Sequence, residues 1–434
     1  MTRSLALQGL LPLLLTAAVA AEAQTFDARI AQGVERFSPM AIELRHTIHQ
    51  NPELGNREFE TAKLIAAHLE ELGIEVQTGV AKTGVVGILR GGKPGPIVAL
   101  RADIDALPVT EDTPFPFKST KRGTYLGQEV GISHACGHDI HTAVQLGVAS
   151  MLASMKADLP GTVMFIFQPA EEGPPPGEEG GAALMVKEGV FEKMKPAAVF
   201  GLHVWADEEV GKVATKAGPM LAAAEGFDAT VTGRQAHGAM PHIAVDPIVM
   251  ASEIVMALQT VRSRNMDPFQ PGVITVGLMR GGERRNIIPT TVELQGTVRT
   301  FDTKVQTQVE DRIRAIFDGI TKAHGGSFTL TFDRAYPLTS NDTTLYERMK
   351  PSMQRVLGDK LVTAQPTTGG EDFSFFANEV PGLFLFLGGR KPGGTTGGHH
   401  TPTFQVDDAS IPVGMKVMTT LVMDFLSGRG AVGN

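Results

Sequence analysis

Residues able to bind a metal ion are concentrated in one short segment, His134-Ala135-Cys136-Gly137-His138-Asp139. A single glycine separates Cys136 from His138, so a thiolate and an imidazole could approach the same ion. These ligands suit zinc, cobalt, nickel or manganese-type ions, and the soft sulfur favours zinc. A lone cysteine is more often a small buried hydrophobe, but the flanking histidines and aspartate favour a ligand here. The Cys-Gly-His spacing alone is a weak motif and needs support from the rest of the chain.

Further groups of acidic or histidine residues each follow a predicted strand. These are Asp103 with Asp105, Glu171 with Glu172, His203, and His399 with His400. In open α/β sheets, ligands bind beyond the carboxyl ends of the strands. The arrival of all these groups at one sheet edge would be a rare coincidence, so together with the cysteine segment they predict a metal site.

The pair Glu171-Glu172 suggests a division of labour. Adjacent side chains diverge, so one carboxylate could bind a metal while the other faces the metal-bound water, whose pKa is lowered towards about 7. Such a carboxylate can take the water's proton and later deliver it to a leaving amine. The alternative is a solvated acidic loop, which is our interpretation of Glu178-Glu179 nearby. The residues alone do not decide between the two for Glu171-Glu172.

The elements that would position these residues alternate between apolar strands and helices. Strands are predicted at 85–89, 97–101, 163–167 and 198–202, and helices at 60–69, 141–155 and 181–188. This alternation predicts an α/β layer with a largely parallel sheet.

A different order begins near Gly218. Strands and helices follow there as β-α-β-β-α-β, the ferredoxin-like unit, and the first pattern returns with a helix at 345–357 and a strand at 383–387. We therefore predict an α/β protein of two domains. One comprises residues 24–217 and 330–434, and the other, residues 218–329, is inserted into it.

Composition limits the class of protein. A chain of 434 residues is too long to fold around one ordinary hydrophobic core. A composition of 42% hydrophobic and 20% charged residues is typical of a soluble globular protein. The net charge of −8 argues against a nucleic-acid or anionic-membrane partner. One cysteine excludes an internal disulfide.

The N-terminus has the pattern of a secretory signal peptide. Arg3 precedes an apolar stretch that begins at Leu10, and Ala21-Glu22-Ala23 is an A-x-A cleavage site. A membrane anchor is the alternative, but the apolar run is short for a bilayer. We expect cleavage near Ala23, export to a bacterial periplasm, and no membrane attachment after processing.

Nine segments, in order along most of the chain, carry a family resemblance. They are 49–55 (HQNPELG), 99–108 (ALRADIDALP), 134–141 (HACGHDIH), 167–173 (FQPAEEG), 201–203 (GLH), 237–242 (HGAMPH), 286–289 (NIIP), 370–373 (GEDF) and 400–402 (HTP). The chain resembles the aminoacylase and carboxypeptidase family of dinuclear metallopeptidases, and within it the hippurate hydrolases and the plant auxin-conjugate (IAA-amino acid) amidohydrolases. HACGHD together with PAEEG is highly specific for this subgroup.

The resemblance implies two divalent metal ions per chain, either zinc, manganese, cobalt or nickel, in a zinc-peptidase-like domain. Cys136 would bridge both ions. His138 and His203 would complete one site, and Glu172 and His400 the other. His399 is not the expected ligand, because the family motif is His-Thr/Ser-Pro.

The resemblance also implies roles beside the ions. Glu171 would be the general acid/base. Asp103 would support the metal centre by fixing a ligand histidine. Arg101 stands where other branches of the family carry a metal-binding histidine, which fits His138 taking over that role.

The inserted domain would act as a lid and as the interface of a homodimer. His237 matches a lid histidine that reaches an active site, frequently the partner's, and stabilises the oxyanion. Asn286 and Arg299 match positions that hold the substrate carboxylate, although Arg299 could equally be a solvated strand residue. Gly369 and Gly370 would line the pocket near the amino-acid end.

One departure from the family pattern is the pair Arg284-Arg285 before Asn286, where small residues are commoner. Two extra positive charges suggest selection of an anionic group on the substrate, which is a hypothesis.

Together, the residues and the resemblance predict a metal-dependent amidohydrolase that cleaves small N-acyl amino acids, either N-acetylated or hippurate-like. The nucleophile would be a metal-bound hydroxide, and Glu171 would be the general acid and base. An exported dipeptidase or carboxypeptidase is the alternative on the same scaffold. Cys136 as a papain-like nucleophile would leave Glu171, Glu172, His203 and His400 without a role. An exported solute-binding protein would not need the general base.

Overall fold

The secondary structure is described for residues 10–429 of a computed structural model, and side chains for residues 26–429. The strands are β1 (Glu75–Val80), β2 (Gly84–Arg90), β3 (Lys93–Asp103), β4 (Arg122–Tyr125), β5 (Gln128–Gly131), β6 (Pro160–Gln168), β7 (Val199–Glu209), β8 (Val213–Thr215), β9 (Gly218–Leu221), β10 (Ala223–Thr232), β11 (Ala236–His237), β12 (Gly272–Gly281), β13 (Ile287–Ile288), β14 (Thr291–Thr300), β15 (Ser327–Tyr336), β16 (Thr339–Asn341), β17 (Leu361–Thr363) and β18 (Gly382–Arg390). The helices are α1 (Leu10–Gln50), α2 (Phe59–Glu71), α3 (His138–Ser154), α4 (Gly181–Lys187), α5 (Pro247–Thr260), α6 (Thr303–His324), α7 (Thr343–Leu357), α8 (Phe373–Glu379) and α9 (Ser410–Leu426).

The predicted signal peptide, residues 1–23, is described only in part. Residues 1–9 lie outside the described residues, as do the side chains of residues 10–25. Within residues 10–429, no helix combines the length and the apolar character that crossing a membrane requires.

The chain forms two compact units. Unit one comprises Met1–Ala217, Asn341–Ala364 and Phe376–Asn434, and unit two comprises Gly218–Ser340 and Gln365–Phe375. The predicted inserted domain ended at residue 329, whereas unit two continues to Ser340. The reason is that β15 pairs with β10 along its length, up to Tyr336. The segment that begins at Gln365 belongs to unit two because Thr367 exchanges backbone hydrogen bonds with Met220 and Ala222.

Unit one is built on a mixed sheet of eight strands within the described chain, in the order β1-β2-β6-β3-β7-β18-β8-β17. The central run β6-β3-β7-β18 is parallel, which confirms the predicted α/β class. Every residue of β18 except the last is buried, as expected of a parallel strand covered on both faces. This burial explains why the central strands read as continuous apolar runs in the sequence.

Helices α1, α3 and α9 pack against one another in unit one. Every residue of α3 from His138 to Leu152 is buried, and α9 is buried along most of its length. The sequence pattern does not predict α9. A helix that is covered all round has no polar face, so the periodicity that reveals an amphipathic helix is missing.

Unit two has the predicted ferredoxin-like order β10-α5-β12-β14-α6-β15. Its antiparallel sheet runs β12-β14-β10-β15, and α5 and α6 contact each other. Each helix is preceded by an aspartate, Asp246 or Asp302, whose carboxylate accepts hydrogen bonds from backbone N–H groups of the first turn. Phe227, Ile254 and Phe317 belong to the apolar core of this unit.

Unit two contains a buried acid, Glu225 of β10, whose side chain is 1% exposed. Burial and the neighbouring Glu310 raise the pKa of Glu225 to about 7. An acid with a raised folded-state pKa favours folding in its protonated form. Its contribution to stability is therefore present below the ordinary pKa of 4.5 and is lost as the pH rises through about 7.

We therefore expect Glu225→Gln, which is neutral at every pH, to raise the Tm relative to wild type at about pH 8, and much less at about pH 4. Thermal unfolding followed by circular dichroism at both pH values checks this. Glu293→Gln is the control, because Glu293 is exposed on β14 of the same sheet. Equal Tm shifts for Glu225→Gln at the two pH values would contradict the pKa argument.

Candidate metal centre

The metal-capable side chains of unit one meet at one edge of its sheet. Asp103 is the last residue of β3 and lies opposite the last residue of β6, Gln168, after which the chain turns towards Glu171. His203 lies just beyond the final β3–β7 pair, Arg101 with Gly201. The prediction placed His203 after its strand, but β7 continues to Glu209, so the histidine is held by the strand itself.

The turn before α3 places Cys136 and His138 on either side of one glycine. Gly137 has φ of 95°, and a Cβ there would lie 2.2 Å from a Cγ of Val204. Only glycine combines that left-handed conformation with so close an approach. Two other loop residues at this edge of the sheet, Ala170 and His400, have φ of 51° and 61°. Left-handed backbone at residues other than glycine is uncommon and concentrates at functional sites.

Cys136 is at the centre of the cluster. Its Sγ lies 3.4 Å from Nε2 of His203 and 3.3 Å from Nε2 of His400. Donor atoms within 4.8 Å of one another form the groups Cys136–His138–His203 and Cys136–Glu172–His400. The two groups share the sulfur, and they are the two ligand sets that the family resemblance implies.

The geometry around His138 fits a divalent ion. Among the described residues, its buried Nε2 has no hydrogen-bond partner. Carboxylate oxygens of Asp103, Glu171 and Glu172 lie 3.8–3.9 Å from it, too far for hydrogen bonds. Ligand atoms on one tetrahedral zinc ion, with bonds of about 2.0–2.3 Å, are separated by about 3.3–3.8 Å. Thiolate, imidazole and carboxylate groups at these separations suit a zinc-type ion.

The electrostatics of the cluster also favour a cation. Burial and the carboxylates of Glu172, Glu171 and Asp103 hold the pKa of the Cys136 thiol well above its usual range. Burial lowers the pKa of His138, but the charge of Asp103 and the hydrogen bond that the ring donates to Asp105 outweigh it and raise the pKa to about 10. Buried negative charge of this kind is costly unless a cation balances it.

Asp105, rather than Asp103, orients the ring of His138. Nδ1 of His138 lies 3.2 Å from a carboxylate oxygen of Asp105, and the other oxygen accepts the backbone N–H of Glu172 at 3.0 Å. The resemblance implied that Asp103 fixes a ligand histidine, yet Asp103 binds Arg101 and the ring of His141 instead. The spacing alone marks both aspartates as candidates, because residues two apart in an extended chain point the same way, and it does not show which of them faces His138.

His141 is close to the cluster but is not available as a ligand. Its Nδ1 contacts Asp103, and its Nε2 accepts the backbone N–H of Val204 at 2.7 Å. Both ring nitrogens are therefore used, since Nδ1 joins the start of α3 to β3 and Nε2 joins it to β7.

Glu171 is buried beside the two ligand groups. Its carboxylate lies 3.8 Å from Nε2 of His138. The loop is fixed on both sides of it, since the N–H of Ala170 donates to Glu58 at 2.8 Å and the N–H of Glu172 donates to Asp105. By contrast, the nearby Glu178 and Glu179 form ion pairs with surface lysine and arginine side chains.

The predicted lid residues form two groups within unit two. His237 of β11 and Asn286 are neighbours, because β11 pairs with β13 and the N–H of Gly238 donates to the carbonyl of Asn286 at 2.9 Å. Arg299 donates to the carbonyl of Thr368 at 3.1 Å, next to Gly369. At Gly370, a Cβ would lie 2.6 Å from the ring of Tyr336, so the glycine is required by close packing.

Residues 99–424 match Peptidase family M20/M25/M40. The chain belongs to this family. The resemblance seen in the sequence is thereby confirmed, and the protein is an enzyme of the metal-dependent amidohydrolase and metallopeptidase type.

Relatives of this M20 protein match over most of its length. An N-acetyl-L-cysteine deacetylase of Bacillus subtilis (strain 168) is 39% identical over 372 residues, covering 85% of this chain and 84% of that protein. The IAA-amino acid hydrolase ILR1-like 2 of Arabidopsis thaliana is 38% identical over 416 residues, covering 95% and 90%. The crystal structure of a dinuclear metal-binding M20 peptidase from Bacillus subtilis is 33% identical, with a TM-score of 0.78, covering 91% of this chain and 99% of that one.

Removing the carboxylate that orients His138 tests the role assigned to Asp105. We expect Asp105→Ala to weaken metal binding about 10–100-fold, because partners that orient ligand histidines have effects of this size. Competition against a chelator of known affinity measures the change. Asp112→Ala is the matched control, since Asp112 is an exposed acid a few residues along the chain. Unchanged affinity in a folded Asp105→Ala protein would contradict the assignment.

Proposed function

We propose that this M20 enzyme hydrolyses the amide bond of N-acyl amino acids of the N-acetyl or hippurate-like class. The observation that carries the proposal is the pair of ligand groups sharing Cys136, with the buried carboxylate of Glu171 beside them. The substrate class is supported by the relatives' names, which describe removal of an acetyl group from N-acetylcysteine and cleavage of IAA-amino acid conjugates.

The proposed ligands are Cys136, His138 and His203 for one ion, and Cys136, Glu172 and His400 for the other. Divalent ions held there would polarise the amide carbonyl and lower the pKa of a water nucleophile. The set mixes soft sulfur with imidazole and carboxylate, so zinc, manganese, cobalt and nickel all suit it, and availability decides among them.

Glu171 is the proposed general acid/base. Its carboxylate accepts the proton of the attacking water and then donates it to the departing amine nitrogen, so one group serves both halves of the reaction. Its loop is fixed by backbone hydrogen bonds on both sides, which keeps the carboxylate in place between the two transfers.

His237 is the proposed oxyanion donor. Its Nδ1 accepts the N–H of Ala239 at 3.0 Å, so the ring hydrogen of the neutral imidazole is on the exposed Nε2. An N–H aimed at developing negative charge contributes about 3 kcal/mol to catalysis. Asn286, adjacent to His237, and Arg299, adjacent to Gly369, are the proposed groups that hold the carboxylate of the amino-acid product.

Hydrolysis of dipeptides or C-terminal residues is the second candidate, because the relative of known structure is described as a peptidase. A thiol nucleophile is not favoured. Burial and surrounding carboxylates raise the pKa of Cys136, whereas cysteine nucleophiles require a lowered one.

The deciding experiment is hydrolysis of N-acetyl amino acids, N-benzoyl amino acids and dipeptides by the purified protein, after chelation and again after adding back each metal. We expect activity on N-acyl amino acids that is lost with chelator and restored by metal. Glu171→Gln should retain two ions per chain and lose about 10²–10⁴-fold in kcat.

Glu179→Gln is the control variant, because Glu179 is an exposed acid paired with Lys187, and its turnover should equal that of wild type. Turnover on dipeptides alone would favour the second candidate. Full turnover by Glu171→Gln would contradict the assigned acid/base, and activity indifferent to chelation would contradict the metal mechanism.

We also propose that unit two forms a homodimer interface. Strand β12 is at an edge of its sheet, and Met256 and Val249 of α5 are 71% and 44% exposed. An unpaired edge strand together with exposed apolar residues is typical of an association surface.

We expect Met256→Glu to shift the protein from dimer to monomer in analytical ultracentrifugation. Phe59→Glu, at an exposed phenylalanine of unit one, should leave the association state unchanged. A monomeric wild-type protein, or a Met256→Glu variant that dimerises normally, would contradict this interface.

Finally, we propose export to the periplasm with cleavage after Ala23. Expression of the full chain in a Gram-negative host should yield periplasmic protein that begins at Gln24, as read by N-terminal sequencing. Protein that is confined to the cytoplasm and retains Arg3 would contradict export.

A further inference from the structure

His399 is next to the proposed ligand His400, but its two ring nitrogens have other partners. Nε2 accepts the backbone N–H of Ala206 at 3.0 Å. Because a backbone N–H can only donate, this nitrogen carries the lone pair, and the hydrogen of the ring is on Nδ1. Nδ1 lies 3.5 Å from Sγ of Cys136. The backbone thus fixes the tautomer that directs an N–H at the sulfur.

The ring is also held in position. It packs against Trp205 and Phe404, whose ring centroids each lie 5.0 Å from its own. The N–H of His400 donates to the carbonyl of Ala135 at 2.8 Å, which ties the histidine loop to the turn that carries Cys136. The distance from Nδ1 to the sulfur is therefore set by packing and by backbone hydrogen bonds rather than by a mobile side chain.

We propose that His399 is a positioning residue that donates an N–H···S hydrogen bond to Cys136, the sulfur shared by the two ligand groups. This inference rests on the proposed metal centre. The donor draws electron density from a thiolate that is crowded by carboxylates, and so tunes how strongly the sulfur donates to the ions. Hydrogen bonds to a coordinating sulfur are known to tune metal sites in this way.

The test uses the full-length protein loaded with Co(II), whose sulfur-to-cobalt charge-transfer band reports the electron density on the thiolate. His399→Phe keeps a ring in contact with Trp205 and Phe404 but has no hydrogen-bond donor. His399→Asn can place an amide N–H near the position of Nδ1. Both variants lose the hydrogen bond from the N–H of Ala206. The comparison between them therefore tests the hydrogen bond to the sulfur, which only His399→Asn can donate.

We expect the band of His399→Phe to move to lower energy, and that of His399→Asn to stay near the wild-type position. Phe404→Leu, which disturbs the packing of the ring and leaves the N–H in place, is the control and should not move the band.

The failures can be told apart. If the wild-type protein shows the band and His399→Phe shows it at the same energy, the role of His399 is overturned and the metal centre is not. Equal shifts in the Phe and Asn variants would assign the effect to packing and would also overturn it. A wild-type protein with no sulfur-to-cobalt band would exclude Cys136 as a ligand, which overturns the proposed centre and this inference together.

Discussion

Negative charge gathered at one buried edge of the sheet is the constraint on which unit one depends. The sulfur of Cys136 and the carboxylates of Glu171 and Glu172 surround the imidazole of His138. Groups of this kind are costly to bury unless cations, protons or hydrogen-bond donors balance them. The chain supplies some donors, including the guanidinium of Arg101 to Asp103 and the N–H of Glu172 to Asp105. Divalent ions are the natural balance for the remainder.

A second buried charge network holds the segment that carries the cluster. Asp139, the residue after His138, accepts hydrogen bonds from Arg45 and His49 of α1, and Arg45 also binds Asp408, shortly before α9. Three helices are thereby joined at the start of α3. His49, the first residue of the HQNPELG motif, therefore supports the turn that carries the cluster.

Much of the fold and the candidate site could be predicted, because the signals are local in sequence. Alternating apolar strands and helices gave the α/β class, and the types and spacing of Cys136 and His138 pointed to a metal site. What could not be predicted depends on contacts between distant segments. Asp103 and Asp105 look equivalent in sequence, and only the packing of α3 against β3 shows which one faces Nδ1 of His138.

The same distinction explains the other differences. The boundary of unit two could not be placed, because β15 has no internal mark showing where its pairing with β10 stops. The role of His399 depends on the N–H of Ala206, almost two hundred residues earlier in the chain. No pattern local to the His-His pair contains that information.

The order of the segments has a consequence for folding. Strands β10 to β15 of unit two come from one continuous stretch of sequence. By contrast, β18 of unit one pairs with β7, and the sequence of unit two lies between these two strands along the chain. Contacts that are close in sequence form sooner than distant ones, so we expect unit two to be complete while unit one still lacks a central strand. His400 lies beyond that strand. At the proposed metal centre, binding of the second ion would therefore be a late event. A chain halted before β18 would contain Cys136, His138 and His203 but would lack His400, the last ligand of the second site.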